Sequence, residues 1–581
     1  MPAGWRFSAF LWVSVCAHGL VLGGIEPTPP WPTPPGQYPG TQAATDTAYY
    51  LSTATVEQAR IAAGQTAGSE PVPRDEASCP DGVVHVPLWG RFEMAIVHPR
   101  AHADPYRDVT LDVTLTRPDS STVATWGFYD GENTWRIRAL ADQVGTWRVQ
   151  ARFSDGTGQF AGAFTCVESD RPALLSVCKD NPIWFGYKAG KAALVRCLHV
   201  SERFLAESDD PVADAQRRAR FLDWARSQGY NALSIGTSAL DSGRRTLRAE
   251  GGRATLALWN AERHQPDPAA YQRLELALDD VLARRMLVYP ACGFFGRDTD
   301  FPKDSAQQGL YLRYTLARLG SYPNMIWVVG GPEPSRASDP YLGAEEIERL
   351  GRKIKTMDPY GHLLCVPSAA GNDTFRDADW TTCAVIQGPR TANLPRLSRV
   401  LLRNRNPSKP LYVQQTLWLG SRRTPDYSLD ELRKDAYVLM MSGASVSVAD
   451  MGGNPSSGLS GTLDVSLAVQ ARHDTVRRVW DFFETVPFWR MQPRQDLVDN
   501  GYCLAEPGRL YLVYLPEPGT VTVDIGEGMY QVKWIDARDT SDVRESGIIE
   551  ERCALTSPQE EDDWLLSLRR VEIVAGEIRP D

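Results

Sequence analysis

The chain has 581 residues, 43% of them hydrophobic and 23% charged, with a formal net charge of -10. A length this great exceeds one core, so about two to four soluble domains are expected, and a wholly disordered chain is excluded. No run of Lys or Arg breaks the mixed-charge pattern, which argues against nucleic acid or an anionic membrane as partner and favours a neutral or weakly charged ligand.

At the N-terminus Arg6 precedes an apolar run from Phe7 to Leu22, broken only by small or weakly polar residues and His18, and Gly23 and Gly24 follow. This pattern predicts a signal peptide over residues 1–24 and a secreted or extracytoplasmic protein, with no membrane contact after cleavage. The alternative is a membrane anchor, but the run is shorter than the roughly 20 apolar residues a span requires. Cysteines stand at 16, 79, 166, 178, 197, 292, 365, 383, 503 and 553, with no CxxC and no metal-ligand rhythm. They read mostly as small core residues. Nine remain after removal of the leader, so at least one thiol is unpaired within a monomer, and the pairing of the others is not readable from sequence.

Residues 25–84 are rich in Pro, Thr, Gly, Ala and Ser and read as a linker without a core of its own. Residues 49–63 suit at most a transient helix. From 85 to 170, short β-patterned runs alternate with turn signals: 89–97, 109–116, 123–129, 134–139, 145–153 and 162–167. Six or seven strands in this span predict a β-sandwich, whose aromatics Trp89, Phe92, Trp126, Phe128, Trp135 and Trp147 belong to its core. From 171 to 492, strand-like and helix-like stretches alternate, which predicts βα units and a parallel sheet. The strands fall near 192–199, 232–236, 287–292, 325–329, 363–366, 384–387, 411–414 and 444–449, with helices at 211–228, 268–285, 306–320, 344–357 and 429–442. Eight such units make a (β/α)8 TIM barrel. Short strands return over 493–581, at 501–505, 509–515, 520–524, 530–536 and 564–570, predicting a second β-sandwich.

Several stretches carry a family resemblance. Val86 to Glu93 (VPLWGRFE), Asp104-Pro105-Tyr106, Gly127 to Gly131 (GFYDG) and Gly145 to Arg148 (GTWR) resemble the immunoglobulin-like domain of unknown function that precedes barrel glycosidases in secreted bacterial proteins. Tyr530 to Arg538 resembles the small C-terminal domain labelled collagen-binding that closes apiosidase-like barrels. Sandwich, barrel and sandwich together resemble the apiosidase-like family of TIM-barrel glycoside hydrolases. That resemblance implies a carbohydrate substrate, no cofactor, an acid/base carboxylate ending strand 4 and a nucleophilic glutamate ending strand 7. Two carboxylates are needed because one protonates the leaving oxygen while the other attacks or activates water.

At strand 4, Asn324 to Gly331 (NMIWVVGG) matches the family's Asn-x-x-Trp-x-x-Gly-Gly, and the family's following Asp is Pro332 here, with Glu333 one place later. Glu333 is the candidate acid; the other reading is a solvated loop glutamate. At strand 7, Lys409 to Gln415 matches the family's Lys-Pro-x-x-x-x-Glu, with Gln415 in the nucleophile's place. An amide cannot attack an anomeric carbon. Asp450, after strand 8, is the candidate second carboxylate, against a plain loop acid near the rim. Glu202, Ser238, Phe294, Phe295, Arg297, Asp298, Gln387, Arg390, Trp418 and Asn454 also stand at strand ends, where a barrel builds its active face. Of these, Glu202, Phe294, Phe295, Arg297, Gln387 and Trp418, together with Gln415, are the candidate substrate-binding residues. Phe294, Phe295, Trp380 and Trp418 suit stacking on sugar rings, although any one of them is more often packing than platform.

No HExxH, no GxSxG and no phosphate loop is present, and no metal site is expected. The expected function is a secreted glycoside hydrolase acting on a polysaccharide or glycan. Gln415 keeps open a catalytically inactive barrel that serves as a glycan-binding or envelope and matrix protein. Sugar, linkage and oligomeric state are not legible.

Overall fold

The computed structural model describes residues 84–200, 204–205, 210–237, 240, 256–291, 293–331, 341–368, 373–388, 393–417, 427–449, 463–467, 469–558, 563–574 and 577–580. The leader, Cys16, Cys79 and nearly all of the 25–84 segment lie outside them.

The first folded region holds a five-stranded and a three-stranded sheet. The five run in the order His85–Pro87, Gln159–Val167, Gly145–Phe153, Leu111–Thr116, Thr122–Trp126, and the three in the order Arg91–Val97, Thr134–Leu140, Phe128–Tyr129. Alternation explains the pairing: Trp147, Val149, Ala151 and Phe153 point inward along one strand while their neighbours face water. Residues of both sheets share one apolar core, in which Phe92 stacks on Phe164 with ring centroids 4.4 Å apart. The aromatics Phe92, Trp135 and Trp147 pack there as expected. Phe128 instead joins the core of the next region, under the guanidinium groups of Arg138 and Arg318.

That next region is a barrel-like ring of parallel strands: β1 (Arg196–Val200), β2 (Ala232–Ile235), β3 (Leu287–Pro290), β4 (Trp327–Val328), β5 (Leu364–Cys365), β6 (Ala384–Gln387), β7 (Leu411–Thr416) and β8 (Ala444–Ala449). One sheet runs β3-β2-β1-β8-β7-β6, and β4 pairs with β5. Parallel bridges from Val288 to Met325 and from Ser368 to Ile386 join the two sheets. β1 and β8 are buried at every position, as strands covered on both faces must be. Around the ring lie α1 (Pro211–Ser227), α2 (Pro268–Ala283), α3 (Ser305–Leu319), α4 (Ala344–Met357), α5 (Leu394–Asn404), α6 (Leu429–Met441) and α7 (Gln470–Thr485). Their starts are written locally. Asp210 and Asp267 cap α1 and α2 just ahead of a proline, and Ser428 with Glu431 forms a capping box on α6.

One expected strand is divided. Ala192–Ala193 pairs with Phe185–Tyr187 in a small antiparallel sheet that also contains Leu175–Val177, and only Arg196–Val200 enters the ring. Side chains of this small sheet, including Leu175, Phe185 and Ala193, share a core with the inward-facing Cys197, Ala232, Leu287, Tyr289, Val328, Cys365, Val385 and Tyr412. The last region is an antiparallel sheet in the order Gln492–Pro493, Tyr502–Glu506, Leu510–Leu515, Trp564–Val574, Met529–Asp536, Val543–Ile549, with Thr520–Thr522 and Ala554–Thr556 paired separately. It docks on α6, where Arg433 meets Asp563 at 2.8 Å and Tyr437 stacks on Tyr514 at 4.7 Å.

Charge fastens the first region to the ring. Arg138 and Arg318 both clamp the Glu275 carboxylate on α2 at 2.7 to 3.0 Å, Arg318 also binds Asp130 at 2.8 Å, and Arg138 reaches Glu93 at 2.7 Å. Burial alone would raise the carboxyl of Glu275, but the two guanidinium groups outweigh it and hold the group well below its ordinary value. Six of the seven described free cysteines are buried. Among the described residues no helix is long and apolar enough to cross a membrane.

Candidate functional site

In a ring of parallel strands, ligand groups gather at the carboxyl ends, where the strand-to-helix loops begin. At that end polar residues replace the apolar interior. Tyr289 on β3 donates a 2.8 Å hydrogen bond to Gln414 Oε1 on β7, and its ring lies 4.6 Å from that of Tyr412. Further along, Gln387 Nε2 on β6 donates to Gln415 Oε1 at 2.9 Å, and Gln415 Nε2 meets His199 Nε2 on β1 at 3.4 Å. His199 Nδ1 lies 3.1 Å from Ser234 Oγ on β2. With the Gln415 amide donating to Nε2, the proton of His199 belongs on Nδ1, which donates to Ser234. One hydrogen-bonded chain thus crosses β6, β7, β1 and β2.

Consecutive residues of a strand point to opposite faces, so Gln414 and Gln415 should not meet the same interior. They do because β7 carries a bulge between Val413 and Thr416, and Gln415 adopts φ 51°, in the left-handed region. Leu417 follows at φ 57°. A left-handed glutamine is uncommon and costs on the order of 1 kcal/mol or more, which the surrounding hydrogen bonds must offset. The bulge re-aims the side chain at the very position where the sequence comparison placed a nucleophile.

The end of β4 is held by the loop after β3. Gly330 N–H donates to Phe295 O at 2.9 Å and Arg297 N–H to Gly331 O at 3.2 Å. A Cβ on Gly296 would lie 2.2 Å from Gly331 O, so this approach admits only glycine. The path into the residue 332–340 segment is therefore braced up to Gly331.

Gln387 and Gln415 come together as candidate binding groups, and Arg297 stands exposed with its guanidinium 5.9 Å from the ring of Tyr341. Phe294 and Phe295 are corrected. At 1% and 0% exposure they pack against Trp327, so neither offers a face to a sugar. Trp380 is likewise fully buried beneath α4, its Nε1 donating to Glu348 at 2.6 Å. Glu202, Ser238, Glu333, Arg390, Trp418, Asp450 and Asn454 lie outside the described residues, as does the side chain of Asp298. His199, Ser234, Tyr289 and Gln414 were not singled out from the sequence. Their signal was present, since each is a polar residue at an inward position near the end of an otherwise apolar strand.

Comparison with known proteins agrees with this architecture. Residues 212–448 match the family described as Apiosidase-like, catalytic domain, and residues 85–154 match a domain of unknown function (DUF5060). No curated protein sequence matches the chain. Among solved structures, a Bacteroides vulgatus ATCC 8482 protein assigned as a glycoside hydrolase is 18% identical with a TM-score of 0.63, over 84% of this chain and 100% of that one. A second glycoside hydrolase is 15% identical with a TM-score of 0.53, over 68% and 97% of the two chains. A glycoside hydrolase family 5 protein, also from Bacteroides vulgatus ATCC 8482, is 14% identical with a TM-score of 0.51, over 70% and 95%. At these identities the likeness establishes the fold: a barrel-like domain with additional sheet domains.

Proposed function

We propose that this chain is an exported protein whose (β/α)8 TIM barrel, spanning 171–492 between β-sandwich domains at 85–170 and 493–581, hydrolyses O-glycosyl bonds of a polysaccharide or other glycan. The observation that carries the proposal is the Gln387–Gln415–His199–Ser234 chain at the carboxyl end of the ring. Amides, a hydroxyl and an imidazole are the neutral donors and acceptors that sugar hydroxyls require, and a few convergent polar groups over a packed interior are the usual composition of a small-molecule site. In this reading Glu333 after β4 is the general acid and Asp450 after β8 is the second carboxylate. Gln415 holds a substrate hydroxyl rather than attacking.

Gln415 also supports a second reading, a barrel that binds glycans without cleaving them. Turnover on a panel of plant and microbial glycans separates the two. For a hydrolase, Glu333→Gln lowers turnover by about 100-fold to 10,000-fold, the usual loss of a general acid. Gln415→Glu is neutral or harmful where Asp450 already serves, because it adds a like charge, and creates activity where the second carboxylate has lapsed. Turnover that survives both Glu333→Gln and Asp450→Asn would overturn the roles assigned here. Binding without turnover in the unaltered protein would establish the second reading.

A further inference from the structure

Away from the ring, three potential metal ligands converge at one end of the first folded region. His98 directly follows the strand Arg91–Val97 of the three-stranded sheet, and His102 lies four residues on in the loop. Asp155 follows the strand Gly145–Phe153 of the five-stranded sheet. One ligand atom from each lies within 4.8 Å of the other two. Asp155 Oδ2 is 3.3 Å from His98 Nε2 and 3.7 Å from His102 Nε2. Ligand atoms about 2.0 to 2.2 Å from a tetrahedral Zn²⁺ stand roughly 3.3 to 3.5 Å apart, so these separations need change by only a few tenths of an ångström.

The surroundings prepare the ligands. His98 Nδ1 lies 2.8 Å from the carbonyl oxygen of Arg100 and 3.1 Å from the Arg100 backbone N–H, contacts that hold this edge of the ring and turn Nε2 towards the cluster. The His98 residue is only 2% exposed, with its ring edge-to-face on Phe153 at 4.5 Å and on His102 at 4.6 Å. Thr157 ties the carboxylate down, donating from its backbone N–H at 3.0 Å and its hydroxyl at 2.6 Å to Asp155 Oδ1; with its proton so used, the hydroxyl accepts from His98 Nε2 at 2.7 Å, a contact that a bound ion would displace.

The remaining two atoms decide the matter. His102 Nε2 and Asp155 Oδ2 are shielded from solvent and have no hydrogen-bond partner. A proton on His98 Nε2 would serve the carboxylate but leave His102 Nε2 without a partner. One cation at the centre satisfies all three. We propose that His98, His102 and Asp155 bind a single divalent transition-metal ion of the Zn²⁺ class, which clips the two sheets of this region together. Two imidazole nitrogens and one carboxylate oxygen suit Zn²⁺ and its neighbours rather than Ca²⁺ or Mg²⁺, which take oxygen ligands. Within an exported protein such a clip does the work that a disulfide would otherwise do.

The test uses the untagged full-length chain, stripped with a chelator and titrated with Zn²⁺ and with Co²⁺. The expected result is one equivalent bound, visible Co²⁺ absorption, and an unfolding temperature of the N-terminal region that climbs with Zn²⁺ concentration. His102→Ala and Asp155→Asn, both at partly exposed positions, should keep the fold by circular dichroism and weaken binding by more than about 100-fold, beyond the usual loss from an outer-shell partner. Binding as tight in the double variant as in the unaltered chain, or no binding in the unaltered chain, would overturn the site and leave an imidazolium–carboxylate pair in its place.

Discussion

Two polar networks in this molecule are built from different groups, one from charges and one from neutral side chains. At the junction of the first region with the ring, Arg138, Arg318, Glu275 and Asp130 are at most 8% exposed in their side chains, and charged oxygens meet charged nitrogens at 2.7 to 3.0 Å. At the carboxyl end of the ring, Gln387, Gln415, His199 and Ser234 meet through amides, an imidazole and a hydroxyl at 2.9 to 3.4 Å. The difference follows from the cost of burial. A buried charge must be fully paired or it destabilises by several kcal/mol, so a charged network can do little except hold its partners. Neutral groups lose about 1 kcal/mol per exchanged hydrogen bond, so they can release one another for a ligand.

The comparison breaks most sharply at Glu275. Glu275→Gln removes the carboxylate that two buried guanidinium groups share, leaving Arg318 only Asp130 and Arg138 only Glu93, and a loss of about 3 to 5 kcal/mol is expected, read as a lower denaturant midpoint for the unfolding step that separates the first region from the ring. A midpoint within error of the unaltered chain would show that the clamp is not what fastens the junction.

Acid should withdraw the same interactions by degrees. Glu93 is pushed down to about 2 and Glu275 well below its ordinary value, in both cases by arginines that outweigh burial. A carboxyl depressed in the folded state contributes stability that is complete above its unfolded value, near 4.5, and that is lost as pH falls. The junction should therefore hold at pH 5 and loosen progressively between about 4.5 and 2, read by limited proteolysis or tryptophan fluorescence. Glu275→Gln should flatten much of that dependence.

The smallest effect belongs to the neutral network. Tyr289→Phe removes the donor to Gln414 Oε1 and leaves a buried carbonyl acceptor, at a cost of about 1 to 3 kcal/mol. Its sharper readout is glycan affinity, expected to fall severalfold as the bulge beneath Gln415 relaxes. A larger change in overall stability than Glu275→Gln produces would invert the distinction between the two networks.

How much was legible depends on whether the signal is local. The alternation of strands and helices around the ring was written in the chain, as were the aspartate caps ahead of Pro211 and Pro268, because caps and periodicity involve residues a few positions apart. So was the glutamine at position 415. The helix Gln470–Thr485 and the strands Val543–Ile549 and Ala554–Thr556 were not anticipated; both strands are largely exposed and lack a clear alternation.

Tertiary structure alone decided the rest, since it depends on partners distant in sequence. Phe294 and Phe295 sit at a strand end like any rim aromatic, and only the packing of Trp327, Phe301 and Tyr311 makes them core. Asp155 meets His98 and His102 only because two sheets fold over one core. The sequence by itself determined that an amide stands at position 415. Only the bulge between Val413 and Thr416, a feature of how β7 pairs with β8, turned that amide into the interior beside Gln414, because side-chain direction in a strand is settled by register and not by residue type.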